Sequence, residues 1–594
     1  ARGRPSARRR PRRPRRGAPG GTDVIDRARL IAVARGDEEP DLVVEGARVF
    51  GAFTKEWLDV DVAVAEGRIA GLGAFSGGER VDGRGRHLVP GFIDAHMHLE
   101  SSKLMVDEFV RAVLPHGTTA VVTDPHEIAN VLGTDGIHWL LDVCEGLPLE
   151  VFVMASSCVP ASAFESPRRP LTPGDMESIL RRTHALGVAE MMNFPAVIAG
   201  DRAELRKLEV RGATHVDGHA PGVRGRSLDA YLAAGIRSDH ESTTYEEALE
   251  KRRKGMWVLI REASNARNLV DLLPLVKEHG PENCAFCTDD REPDFLVREG
   301  HINHMCRLAV AHGLAPEDAI LLASLNPARY HGLTDRGAIA PGLAADFSLL
   351  HDLGSFRPVK VFKDGRLVVD EGRVLPFGRR EVPIWVRASV RPAPIGSEDL
   401  RVASAGGHLR VIGVVPGQLL TDSLTERPKV MGGAAVADPD RDLAKIAVIE
   451  RHHATGRVGK GFVQGFGLQR GAFASTVAHD AHNIVVVGMS DDDMCTCIDR
   501  LAELGGGIVV VAGGEVAAEL PLPVAGLLSD EPVETVVERL DRAHEALAGL
   551  GVKINSPFMT LSFLALSVIP ALKITDLGLV DVDRFEIVPL EVEG

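Results

Sequence analysis

Aromatic residues are scarce in this sequence: Phe, Trp and Tyr make up 5% of its 594 residues. The cores must therefore be built mainly from aliphatic and small side chains. No apolar run reaches the ~18 residues of a membrane-spanning helix, which excludes that class. Cysteine is sparse, with seven residues scattered along the chain. That odd number argues against a disulfide framework and fits reduced, cytoplasmic thiols. Cys284-Ala285-Phe286-Cys287 has metal or redox spacing, but it lies in an apolar, strand-like run without a second pair. Two core thiols are the expectation there. Positive charge is in deficit: the formal net charge is -15. Nucleic acid is thereby disfavoured as a partner, because phosphate binding needs clustered Lys and Arg. Residues 1–22 depart from the average, with nine Arg and no acid among Pro and Gly. This composition predicts a disordered basic tail, and the lack of an apolar segment excludes a secretory signal.

Over the full chain 45% of residues are hydrophobic and 25% are charged, values typical of globular enzymes. Residues 41–50 and 60–72 read as strands broken by Gly. From about residue 91 the period changes, and apolar strand runs alternate with helix-length amphipathic stretches. The strands are expected at 91–98, 119–124, 149–156, 188–194, 215–219, 236–240, 256–262 and 284–289. The clearest helices are expected at 104–114, 175–186, 227–234, 245–253 and 265–279. Eight strand–helix units over roughly 250 residues predict a (β/α)8 barrel, with a doubly wound open sheet as the competing α/β architecture. Residues 346–350 and 359–367 read as strands that pair with those before the barrel. Four regions are expected: the tail (1–22), a discontinuous small β-domain (35–90 plus 335–395), the barrel (91–334) and a C-terminal α/β domain (402–594). Strands at 461–466, 483–487 and 507–512 belong to the last.

The chemistry gathers at the strand ends. His96 and His98 end the first strand two residues apart, so both imidazoles face the same way. His219 ends strand five, His240 ends strand six, and Asp289 ends strand eight; Glu190 lies on strand four. Polar groups at the C-terminal ends of barrel strands read as catalytic. Four His and two carboxylates suit divalent ions, and six donors exceed what one tetrahedral ion needs. Two ions about 3.5–4 Å apart are therefore expected, bridged by Glu190. Asp124-Pro125-His126-Glu127 follows strand two and Arg261-Glu262 ends strand seven. His126 and Glu262 are candidates for substrate contact or for support of the ligands.

Pro90-Gly91-Phe92-Ile93-Asp94-Ala95-His96-Met97-His98 resembles the signature of the amidohydrolase superfamily. The rest is similar to the adenine deaminase family. The matching motifs are Leu99-Glu100-Ser101-Ser102, Asp124 through Asn130, Ser157-Cys158-Val159-Pro160 and Ala189-Glu190-Met191-Met192-Asn193. They continue with Asp217-Gly218-His219, Ser238-Asp239-His240-Glu241, Cys287-Thr288-Asp289-Asp290-Arg291 and Ala478-His479-Asp480-Ala481-His482-Asn483. The resemblance spans about residues 35–592. It implies hydrolysis of adenine to hypoxanthine and ammonia, as in purine salvage, at two Mn or Fe ions, with Zn as an alternative. It implies His96, His98, Glu190, His219, His240 and Asp289 as ligands, and Asp289 also as proton shuttle. Glu262, by location, is the candidate acid toward the purine ring. The family shows Arg-Glu-Gly-Ser after strand seven where this chain has Arg261-Glu262-Ala263-Ser264, and the added methyl restricts that loop. N6-substituted adenine or a cyclic amide remains the alternative substrate. A cytoplasmic homo-oligomer that binds a small molecule, with no nucleic-acid or membrane partner, is expected. His479, Asp480 and His482 stay open between an approach to the barrel mouth, a separate ion and a hydrogen-bonded turn.

Overall fold

The computed structural model describes residues 25–404 and 406–592. The basic segment 1–22, expected to be disordered, lies outside the described residues. Eight parallel strands form the centre. They are Phe92–Met97 (β1), Thr118–Thr123 (β2), Glu150–Ala155 (β3), Ala185–Met191 (β4), Val216–Gly218 (β5), Ser238–Asp239 (β6), Trp257–Arg261 (β7) and Cys284–Cys287 (β8). Regular ladders join β1 through β5 and β6 through β8. The two seams close the ring. Arg237 N donates to Val216 O at 3.1 Å between β5 and β6. Asp289 N donates to His96 O at 3.0 Å between β8 and β1. The chain thus builds the barrel, not the open sheet.

Local chemistry explains the helices between the strands. Thr172 caps the helix Pro173–Leu180 in a reciprocal capping box with Asp175, and Thr244 caps Tyr245–Arg253 by accepting from Glu247 N. The helix expected at 175–186 stops early. His184 O instead accepts from Val153 N at 2.8 Å, which draws the chain into the sheet and starts β4 at Ala185. At the other end of that strand, Phe194 opens a short helix, Phe194–Ala199, capped by Asn193.

Strands on either side of the barrel in sequence share one sheet. Phe347–Leu350 pairs antiparallel with His87–Pro90 and with Pro358–Lys363. Arg48–Gly51 lies parallel to His87–Pro90. The segment 41–50, expected to be broken by Gly, forms two strands, Leu42–Glu45 and Arg48–Gly51, in different sheets. Gly46 breaks them apart with a φ of 68°.

The C-terminal part is an eight-stranded mixed sheet that packs on both faces. Period-two alternation divides its side chains. Ala447, Ile449, Ile484, Val486, Val509 and Val511 pack with Met494, Cys497 and Leu501 of helix Asp491–Leu504. Ile446, Val448, Val485, Val487, Ile508 and Val510 face the other way, in one core with helix Val533–Gly549 and with barrel residues such as Met97 and Val121. That second face brings the turn around His479 to the barrel mouth. Among the described residues no helix is long and apolar enough to cross a membrane.

Candidate active site and metal centre

His96 and His98 extend from the end of β1 into the mouth, as their spacing predicts. His98 Nδ1 contacts the Asp124 carbonyl at 3.1 Å, which aims Nε2 inward. There it lies 3.3 Å from Glu190 Oε1 and 3.1 Å from Asp289 Oδ1. His96 Nε2 stands 3.8 Å and 3.7 Å from the same two oxygens. The other oxygen of Glu190 faces the opposite pair, with His219 Nδ1 at 2.8 Å and His240 Nε2 at 3.3 Å. One carboxylate thus separates two pairs of imidazoles. All six residues are at most 4% exposed.

The electrostatics match this crowding. Burial opposes the charged form of His98, but the Asp289 and Glu190 carboxylates hold its imidazole well above the usual range. Burial likewise opposes the Glu190 and Asp289 carboxylates, yet both are held well below the usual range, Glu190 by His240 and His219, Asp289 by Arg261 and His96. The buried Nε2 atoms of His96 and His219 have no hydrogen-bond partner. An orphaned buried nitrogen is costly unless something binds it. Donors of His96, His98 and Glu190, and of His96, His240 and Asp289, lie within 4.8 Å of one another. This set of imidazole and carboxylate donors fits divalent ions.

His126 also reaches the cluster. Its Nδ1 is 3.1 Å from Asp124 Oδ2 and 3.8 Å from Glu190 Oε1, and its ring centre is 4.7 Å from that of His98. Glu262 does not reach it. On β7, Leu259 packs inside the barrel with Ala95 and Ala285, whereas Val258 and Ile260 pack outward against helix Leu269–His279. By the same alternation Arg261 turns inward and Glu262 outward. Glu262 pairs with Arg267 at 3.4 Å, and burial pushes its carboxyl up to about 7. The candidate acid at this position is therefore replaced by an inward Arg261, whose Nη1 donates to Asp289 Oδ2 at 2.7 Å. Arg261 Nη2 donates to Glu241 Oε2 at 3.0 Å. Glu241 in turn is 3.4 Å from His240 Nε2. Neither Arg261 nor Glu241 carried a role in the sequence reading. Strict alternation along β7 was the signal that could have found the first.

The C-terminal turn settles at the mouth. Asp480 Oδ1 is 3.3 Å from His126 Nε2, and His479 Nδ1 is 3.5 Å from Glu127 Oε1. His479 and Asp480 line a small cavity with His98, His126, Glu190 and Asp289, while Met192, Leu419, Phe563 and Leu566 form its apolar side. Its free volume is about 20 Å³, room for roughly one water molecule. His482 sits behind, with Nε2 3.8 Å from Glu127 Oε2. Cys284 and Cys287 are free thiols buried in β8.

Comparison with known proteins gives this site a family. Residues 87–368 match the amidohydrolase family model, and residues 418–586 match that of the adenine deaminase C-terminal domain. The chain is 46% identical over 564 residues to adenine deaminase 2 of Carboxydothermus hydrogenoformans, covering 95% of this chain and 99% of that protein. It is 48% identical over 562 residues to adenine deaminase of Cereibacter sphaeroides, covering 94% and 99%. It is 46% identical over 572 residues to adenine deaminase of Archaeoglobus fulgidus, covering 96% and 99%. The chain belongs to the adenine deaminase family of amidohydrolases.

Proposed function

We propose that the protein hydrolyses adenine to hypoxanthine and ammonia, in cytoplasmic purine salvage. The observation that carries this reading is Glu190, whose two oxygens face the His96–His98 pair and the His219–His240 pair. Cyclic amidases on this fold commonly place a carboxylated Lys on strand four, and β4 contains none. His96, His98, Glu190, His219, His240 and Asp289 would hold two divalent ions, Mn or Fe, with Zn as an alternative. Bound there, such ions lower the pKa of a water molecule and supply a nucleophile near neutral pH.

The residues account for the remaining steps. Water adds to C6 of the base, the C6–N6 bond breaks, and the second proton of the water ends on N1 of the keto product. Asp289 takes the proton of the attacking water and returns it to N6, which leaves as ammonia. Arg261 holds Asp289 Oδ2 and so leaves Oδ1 toward the reacting centre. The purine must widen the small cavity to enter; Met192, Leu419, Phe563 and Leu566 would then offer its ring an apolar wall, and His126 a polar contact. N6-substituted adenine is the nearest alternative within the same chemistry. We further propose a homo-oligomer with no nucleic-acid or membrane partner. Its chain would divide into a small discontinuous β-domain (35–90 plus 335–395), the barrel (91–334) and a C-terminal domain (402–594).

Ammonia release from adenine by the Mn-loaded protein tests the proposal. Turnover of adenine is expected. Turnover of a hydantoin or a dihydropyrimidine, with none of adenine, overturns it.

A further inference from the structure

His126 is held from both halves of the molecule. Asp124, from the barrel, lies 3.1 Å from its Nδ1. Asp480, from the C-terminal part, lies 3.3 Å from its Nε2. All three side chains are buried. Two buried carboxylates thus bracket the ring, Asp124 by a hydrogen bond to Nδ1 and Asp480 by an ion-pair approach to Nε2, which has no hydrogen-bond partner. The bracketed ring packs edge-on to His98 and stays 3.8 Å from Glu190 Oε1.

The turn that carries Asp480 is itself built to stay in place. Ala478 N donates to His482 Nδ1 at 3.0 Å, and His479 N donates to Ser562 Oγ at 3.2 Å. Asn483 Nδ2 donates to the Ser166 carbonyl at 3.2 Å and to Asp576 Oδ1 at 3.3 Å. Beneath the turn, Arg451 is fully buried and donates through Nε to the His482 carbonyl. Gly526 leaves room for that guanidinium, since a Cβ there would fall 2.1 Å from Arg451 Nη1. Among the described residues Arg451 has no carboxylate partner, so its burial is a cost with little Coulombic return. Its service is to the backbone of this turn. Supporting shells of this kind hold reacting groups in register.

We propose that Asp480 is a positioning residue, acting through His126 across the seam between barrel and C-terminal domain. The proposal rests on the adenine-hydrolysing reading above. In it the C-terminal domain completes the active site by orienting a barrel side chain.

The test compares full-length, Mn-loaded wild type with Asp480→Asn, Asp480→Ala, His126→Ala and the Asp480→Ala/His126→Ala double variant. Metal content and kcat and KM for adenine are measured for each. For Asp480→Ala, kcat should fall about 10–100-fold, with KM within about twofold and ions per chain unchanged. Asp480→Asn keeps the shape and one acceptor oxygen, so it should recover part of that loss; it also stands in if the Ala variant fails to fold. In the His126→Ala background, Asp480→Ala should cost less than about twofold further, because coupled residues are not additive. An undiminished cost in that background overturns the proposal. So does a loss of kcat that tracks lost metal, or Asp480 variants as active as wild type. If the wild type itself releases no ammonia from adenine, the underlying reading fails instead and takes this proposal with it.

Discussion

At Glu190 a single carboxylate organises four imidazoles, and its position makes substitutions there and around it informative. The two oxygens serve different His pairs. Glu190→Gln keeps the volume but replaces one oxygen with a donor that cannot ligate. Metal analysis of that variant should show fewer ions per chain than wild type, with turnover of adenine reduced by at least about 100-fold. Full metal content in the variant would contradict the bridging role. Glu262 makes the opposite case. Its outward direction predicts that Glu262→Gln retains adenine turnover within about threefold of wild type. Its pH dependence has a definite sign. Burial raises its folded-state carboxyl from 4.5 to about 7, so the folded protein binds more protons than the unfolded chain between those values. Stability from this group is present below about pH 4.5 and is lost as pH rises through 7. Glu262→Gln should therefore match wild type near pH 4 and exceed it by roughly 1–3 kcal/mol near pH 8, read from urea midpoints. Equal midpoints at both pH values would refute the assignment.

Among the elements, Gly459 carries the clearest prediction. It lies in Val458–Gln464, packed over the hairpin Leu572–Thr575 with Gly578–Asp581. A Cβ on Gly459 would fall 1.8 Å from the Thr575 carbonyl. Gly459→Ala must push the two segments apart, at about 1–3 kcal/mol or more. Its melting temperature should fall by several degrees, and an unchanged value would show that the hairpin shifts freely. Contacts of this kind were invisible in the sequence, because they depend on two elements more than a hundred residues apart. The barrel was more legible. All eight strands lie within the spans read from apolar runs or shifted by a few residues, since buried parallel strands are near-continuous aliphatic segments. The helix read over 175–186 overran because nothing in Arg181-Arg182-Thr183-His184 forbids helix; the chain leaves it to pair with β3. His96, His98, His219, His240 and Asp289 were readable because each ends a strand. Arg261 was legible only through the alternation of β7, since a basic residue beside an acid does not by itself say which one turns inward.

Taken whole, the molecule joins its catalytic and C-terminal parts through one apolar core. Met97, Val121 and Val153 of the barrel belong to the same buried cluster as Val448, Val485 and Val510 of the eight-stranded sheet and Val536 and Leu540 of the helix beside it. Among the described residues, apolar side chains of the two parts pack together at this face, and His126–Asp480 adds a polar link at its rim. Two consequences follow for stability. Opening either part exposes apolar surface of the other, so the two should open as one cooperative unit. An ion bound only by barrel residues should then stabilise the C-terminal sheet as well, because binding to the folded form alone shifts the whole equilibrium. At a free metal concentration about 100 times the Kd, that shift is about 2.7 kcal/mol. Hydrogen exchange in the presence of Mn, against protein stripped with a chelator, provides the measurement. Slowed exchange is expected in β1 and β4 and equally in Ile484–Gly488 and Gly507–Ala512, which contain no proposed ligand. Protection confined to the barrel would show that the shared core does not couple the two parts.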